Sequence, residues 1–382
     1  MQKKRIILCF DGTWNNVDSG KAETNVARIA RAVRANSGAD NVPQLTLYLR
    51  GVGSTGLAIQ KLVGGAFGEG IDDNIRSGYM FLAQNYVQDN EDEIYIFGFS
   101  RGAFTARSLV GFITSSGLLK RQTLDHLANA WEYYRTAADR SPAGFCKKYG
   151  SDCHKDVRIR FLGVWDTVGA LGIPASFLGD LSRKDYQFHD TTPSKIVEVA
   201  RHALAIDEHR DEFLPTLWTE PSPDSSDVKQ VWFAGAHADV GGGYKDRALA
   251  DIPLRWMAQE AEEAGLKLDW SMLPQGDANP LAPQHESRLS WSQKDLLTPT
   301  IRQIMGAEAE LGVLEWLYRP VDEAGEPATP INESLHPSVG ERFGREVTVL
   351  LDEQRGKSER QRYMPKNLVP LYAPKEPAPP NR

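Results

Sequence analysis

Gly98-Phe99-Ser100-Arg101-Gly102 places a serine between two glycines where the apolar run Glu93 to Phe99 gives way to small and aromatic residues. This is the G-x-S-x-G pattern in a strand-to-helix setting, where a sharp turn lifts a hydroxyl out of the backbone. Glycine is needed on both sides because a side chain there would collide with the neighbouring strand or helix. The competing reading is a turn serine that caps the following helix. A serine hydroxyl attacks a carbonyl only when a base takes its proton and an acid holds that base. Asp239 closes the apolar segment "VKQVWFAGAHA" and leads into "VGGGY", which makes it the expected acid. Asp166, at the end of "VRIRFLGVWD", is the alternative acid. Among the histidines, His285 in "PQHESRLSW" and His336 in "ESLHPSVGERF" lie downstream of both acids, and spacing does not separate them. His237 is set aside as the partner of Asp239, because both follow the same strand two residues apart. The oxyanion needs two backbone amides. Arg101, directly after the serine, supplies one, and Gly12 or Thr13 in "CFDGTWNN" supplies the other.

These residues need a scaffold that brings strand ends together. Ile6 to Phe10 reads as a buried strand, Thr24 caps the helix "NVARIARAVRA", and "QLTLYLRGVG" restores a strand. Strand, helix, strand predicts a parallel sheet with right-handed crossovers. Asp11, Ser100, Asp166 and Asp239 then stand at the carboxyl ends of its strands, the rim where such sheets bind ligands. "IDDNIRSGYMFLAQNYV" reads as an amphipathic helix, 121–155 as an insertion, "SKIVEVARHALAID" as a helix and "DIPLRWMAQEAEEAG" as another. Glycine-rich Gly51 to Gly70 is read as a cover over the site or a surface loop. No internal linker appears, so residues 1–364 are expected to form one domain, followed by a Pro-rich extended tail over 365–382.

The 382 residues are 41% hydrophobic and 25% charged, the balance of a globular protein, with a net charge of -7. No run of Lys and Arg interleaved with aromatics suggests a nucleic-acid site. The three cysteines, Cys9, Cys146 and Cys153, have no metal-ligand spacing, and no cofactor or metal is expected. A Cys146–Cys153 disulfide is one reading of the pair, but the odd count favours a reducing cytoplasm. The N-terminal apolar core, Ile6 to Phe10, is too short for a signal peptide or membrane span. A cytoplasmic location is expected, with secretion only by a route that ignores N-terminal signals.

The ordered segments "FDGTWNN", "GFSRGAFTAR", "GVWDTVG", "ALAIDEHRDEFLP" and "WFAGAHADVGGGY" resemble a bacterial and fungal α/β-hydrolase family. That family includes the catalytic domain of type VI secretion phospholipase effectors, and the resemblance runs from about Arg5 to Arg342. It implies an α/β fold with a mostly parallel central sheet flanked by helices and helical or loop insertions over the active site. It also implies a serine esterase in which Ser100 is the nucleophile, Asp239 the acid and His285 the base, with His336 kept as the alternative. The expected partners are an ester or lipid substrate and a transient membrane surface. Two other classes fit part of the pattern: a catalytically idle interaction module, and a phosphatase suggested by Asp11-Gly12-Thr13. The second is disfavoured because Cys9 stands where such phosphatases place a nucleophilic aspartate.

Overall fold

The computed structural model describes residues 2–12, 22–36, 41–51, 67–137, 140–168, 191–220, 227–290, 297–322, 326–352 and 355–372. The strands of the main sheet are β1 (Arg5–Phe10), β2 (Gln44–Leu49), β3 (Glu93–Phe99), β6 (Ile159–Trp165), β7 (Val197–Ala205), β8 (Asp227–Phe233) and β12 (Glu333–Leu335). Among the described residues they form one seven-stranded sheet in the order β12-β8-β7-β6-β3-β1-β2. Every pairing in it is parallel. All carboxyl ends therefore share one edge. The chain goes out from β1 to β2 and returns to β3 on the other side of β1, so the strand order reverses beside Ser100. A crevice opens outside the strand ends at such a switch point.

The strands carry apolar residues on both faces, as a sheet covered on both sides requires. Ile6, Leu8, Phe10, Ile94 and Ile96 face one buried cluster, and Ile7, Cys9, Tyr95, Phe97 and Phe99 face the other. The first cluster is roofed by α2 (Phe67–Asn85) and α3 (Arg101–Ser116). The second is roofed by α1 (Asn25–Ala32) and α7 (Asp251–Glu263), with the short α6 (His237–Gly241) between β8 and α7. Thr24 caps α1, its side chain accepting from the Ala27 amide as expected.

The segment 194–207, expected to be helical, is strand β7 instead. Val197, Ala200, Ala203 and Leu204 recur at helix-like spacing, but the segment lies between β6 and β8 with its second half buried on both faces. Pairing on both edges overrides local periodicity. The polar residues of this strand find partners inside: Arg201 Nε donates to Glu260 at 2.5 Å, and His202 Nε2 accepts from the Thr167 amide at 3.1 Å.

The insertion 121–155 holds α4 (Leu127–Thr136), α5 (Pro142–Tyr149) and β5 (Cys153–His154), which pairs with β4 (Leu118–Leu119) just ahead of the insertion. It packs on α3, with Phe112 against Trp131 and Tyr134 at 5.3 Å each. Later segments roof the rim. These are β9 (Gln284–His285), β10 (Thr300–Arg302), β11 (Trp316–Tyr318), α8 (Pro337–Arg342), β13 (Glu346–Asp352) and β14 (Lys357–Arg362). Strands β9, β13 and β14 form a small separate sheet. The tail expected from Pro365 starts packed: Leu368 is fully buried in a third apolar cluster and α9 (Val369–Tyr372) follows. Residues 52–66 of the expected cover, and 373–382, lie outside the described residues.

Candidate active site

Ser100 sits at φ 57° and ψ −123°, a strained backbone for a residue with a side chain. Its side chain does not cap α3, which removes the capping reading. The flanking glycines are required by contact. A Cβ on Gly98 would lie 2.5 Å from the Gly102 carbonyl oxygen, and one on Gly102 would lie 2.2 Å from the Phe10 carbonyl oxygen. The second approach presses the start of α3 against the end of β1, bringing Arg101 beside the Asp11 loop. The Ser100 amide donates to the Trp165 carbonyl at 3.0 Å, which ties the turn to the strand end carrying Asp166.

Two histidine–carboxylate pairs form here. His285 Nδ1 lies 2.7 Å from Asp239 Oδ1, and the His285 amide donates to Asp239 Oδ2 at 2.9 Å. Tyr244 stacks on the imidazole at 3.6 Å and 13°. His285 Nε2 is buried without a hydrogen-bond partner. The pair drawn from the resemblance therefore meets, with Asp239 at the start of α6 and His285 in β9.

The second pair joins His237 Nδ1 to Asp166 Oδ2 at 2.6 Å. Asp166 is fully buried at φ 36°, and it accepts from the Ala205 amide at 3.0 Å and from Arg302 Nη1 at 2.7 Å and Nη2 at 3.1 Å. Burial pushes its carboxyl up, but Arg302 and His237 outweigh this and hold it well below the ordinary carboxylate range. Burial also lowers His237, against the pull of Asp166. A neutral imidazole beside an ionised carboxylate carries its proton on Nδ1, leaving Nε2 as an acceptor. The His237 ring lies 4.5 Å from that of Phe99, the residue before Ser100, and 4.8 Å from that of Phe213.

Sequence reasoning did not assemble this pair. The acid nearest to His237 in sequence, Asp239, is two residues away, whereas its partner in the fold is 71 residues back. Arg302 and Glu208 were also missed. Glu208 accepts from Arg210 Nε at 2.9 Å and Nη2 at 2.8 Å, from Ser287 Oγ at 3.1 Å and from the His237 amide at 3.2 Å. Burial raises it, but Arg210 brings it down to about 2. The signal was available in "DEHRDEF", a charged cluster immediately after a strand.

The remaining expected residues stand elsewhere or are otherwise engaged. His336 follows β12, four positions from β3 in the sheet, roughly 19 Å across at ordinary strand spacing. It caps α8, stacks on Phe233 at 4.7 Å, and burial lowers it to about 4. The Gly12 amide donates to Asp11 Oδ1 at 2.7 Å. Asp11 Oδ2 accepts from Thr24 at 2.9 Å and Tyr48 at 2.5 Å, so Asp11 braces its own loop. Thr13 lies outside the described residues.

The family described as the type VI secretion system phospholipase effector Tle1-like catalytic domain matches residues 4–260, a span that contains Ser100, Asp166, His237 and Asp239. The chain belongs to that family. This Tle1-like chain is also 32% identical over 248 residues to the uncharacterised Saccharomyces cerevisiae protein YEL023C, covering 58% of this chain and 33% of the yeast protein. Among solved structures, it is similar to an uncharacterised protein from Pseudomonas aeruginosa at 19% identity and TM-score 0.41, covering 70% of this chain and 46% of that one. A second is the Tle1 effector bound to the VgrG spike of the type 6 secretion system. There the identity is 17% and the TM-score 0.40, covering 64% of this chain and 52% of that one. The chain thus spans a third of the yeast relative and about half of each of these structures. Among the described residues, no helix is long and apolar enough to cross a membrane.

Proposed function

We propose that this chain is a serine esterase acting on the acyl esters of lipids, with Ser100 as nucleophile, His237 as base and Asp166 as the acid that orients it. The observation that carries the reading is the strained Ser100 turn beside an aspartate-held histidine: Phe99 touches the His237 ring, and the Ser100 amide is bonded to the strand that ends at Asp166. The lipid substrate class rests on membership of the Tle1-like family.

In this mechanism Ser100 Oγ attacks the acyl carbon while its proton passes to His237 Nε2. The imidazolium forms against the ionised Asp166, which stabilises it. The Arg101 amide, directly after the nucleophile at the start of α3, is the first donor to the developing oxyanion. Gly12 serves as the second donor only by giving up its bond to Asp11, and Thr13 is the other choice. Collapse of the tetrahedral intermediate expels the alcohol with the proton from His237. Water, deprotonated by the same nitrogen, then releases the acid and restores Ser100.

A second reading keeps Ser100 but assigns the base to His285, held by Asp239. Its support is the buried, unpartnered Nε2 of His285. Turnover of short- and long-chain acyl esters and labelling by a fluorophosphonate separate the two. His237→Ala is expected to abolish both readouts as thoroughly as Ser100→Ala, while His285→Ala retains labelling. The reverse pattern supports His285, and labelling that survives Ser100→Ala rejects both.

A further inference from the structure

Cys146 and Cys153 lie far from the candidate chemistry, beside the C-terminal end of α3, the helix that follows Ser100. Cys146 is on α5 and Cys153 opens β5, which pairs with β4 directly after the C-terminus of α3. Between them Gly150 takes a left-handed backbone, φ 61°, which ends α5 and folds the chain back on itself. The two Sγ atoms are 2.6 Å apart. That is well inside the contact distance of unbonded sulfurs and about half an ångström from the roughly 2.05 Å of a disulfide bond.

We infer that Cys146 and Cys153 close into a reversible disulfide when the chain meets a small-molecule disulfide oxidant, fastening α5 to β5 within the insertion, beside the far end of the nucleophile-bearing helix. The exchange balances in two steps. The Cys146 thiolate attacks one sulfur of the oxidant and expels a thiolate, leaving a mixed disulfide on Cys146. Cys153 then loses its proton, attacks Cys146 Sγ and expels the second thiol. Two protein thiols are oxidised, and one oxidant disulfide is reduced to two thiols. Cys146 is half-buried and therefore reached first, whereas Cys153 is buried and its thiol is pushed up to about 12, chiefly by that burial. Cys153 does not need to meet the oxidant, because its target is already in contact. Cys9 is buried inside β1, and burial pushes its thiol far up, so it stays reduced.

The test uses the full chain incubated with oxidised glutathione or with dithiothreitol. After glutathione disulfide, the intact mass is expected to fall by about 2 Da with no retained adduct. Alkylation in denaturant is expected to modify Cys9 alone, and peptide mapping to join Cys146 to Cys153. The midpoint of thermal unfolding is expected to rise by about 2–5 °C over the reduced protein. Cys153→Ser should remove the link and leave glutathione on Cys146. If that variant does not fold, the oxidised and reduced wild-type proteins still decide the matter. Three alkylated cysteines after oxidant, a stable glutathione adduct on wild-type Cys146, or a link that leaves thermal unfolding unchanged would overturn the inference.

Discussion

His237 Nδ1 stands 2.6 Å from Asp166 Oδ2, joining the end of β6 to the first residue of α6 across 71 residues of chain. Arg302 grips the same carboxylate from β10, so three distant segments converge on one buried charge beside the Ser100 turn. The proposed mechanism stakes catalysis on that convergence.

Asp166→Asn tests it directly. An amide of the same shape cannot hold the Nδ1–H tautomer or stabilise an imidazolium, so kcat is expected to fall by about 10³–10⁴-fold with a smaller change in KM. The variant also leaves Arg302 buried without its counter-charge, at a cost on the order of 3–5 kcal/mol. Steady-state kinetics well below the variant's unfolding temperature separates the two effects. A kcat within tenfold of wild type would remove Asp166 from the mechanism.

The pH profile should carry the signature of His237. Burial lowers its pKa below 6.5, and only the neutral form accepts the serine proton. kcat/KM is therefore expected to be flat at neutral pH and to drop as pH falls, with the midpoint of the acid limb below 6.5. A limb centred at or above 6.5 counts against His237 as the base.

Asp11 should give a stability signature of opposite sign to most carboxylates. Burial raises its pKa from 3.8 to about 6, despite hydrogen bonds from Tyr48, Thr24 and the Gly12 amide. Between these values the folded state binds more protons than the unfolded state, so the Asp11 contribution falls as pH rises. Urea unfolding of wild type relative to Asp11→Asn is expected to lose on the order of 3 kcal/mol between about pH 4 and pH 6. A difference that is flat across that window would contradict the burial argument.

Gly102→Ala should damage the fold and the site together. The new Cβ meets the backbone oxygens of Phe10 and Asp11, at 2.2 and 2.5 Å, neither of which is the end of a flexible side chain. Relief requires the start of α3 to move off β1, carrying Ser100 and the Arg101 amide with it. A stability loss of about 1–3 kcal/mol is expected, with a larger proportional loss of turnover than the unfolded fraction explains. Thermal unfolding and ester turnover measured on one preparation check both.

The amino-acid sequence by itself determined the parallel scaffold and its elbow. Near-continuous apolar runs of β-forming residues leading to Asp11, Ser100, Asp166 and Asp239, alternating with helical segments, point to neighbouring parallel strands covered on both faces, and Gly98 and Gly102 mark where backbones touch. Local pattern misread 194–207, because Val197, Ala200, Ala203 and Leu204 satisfy a helical period as well as a central strand, and only pairing with β6 and β8 decides between them. The pairing of acids with bases was likewise a tertiary decision. Asp239 meets His285 across 46 residues and Asp166 meets His237 across 71. Nothing local encodes those distances, because a hydrogen bond between side chains depends on where the strands, not the residues, are adjacent.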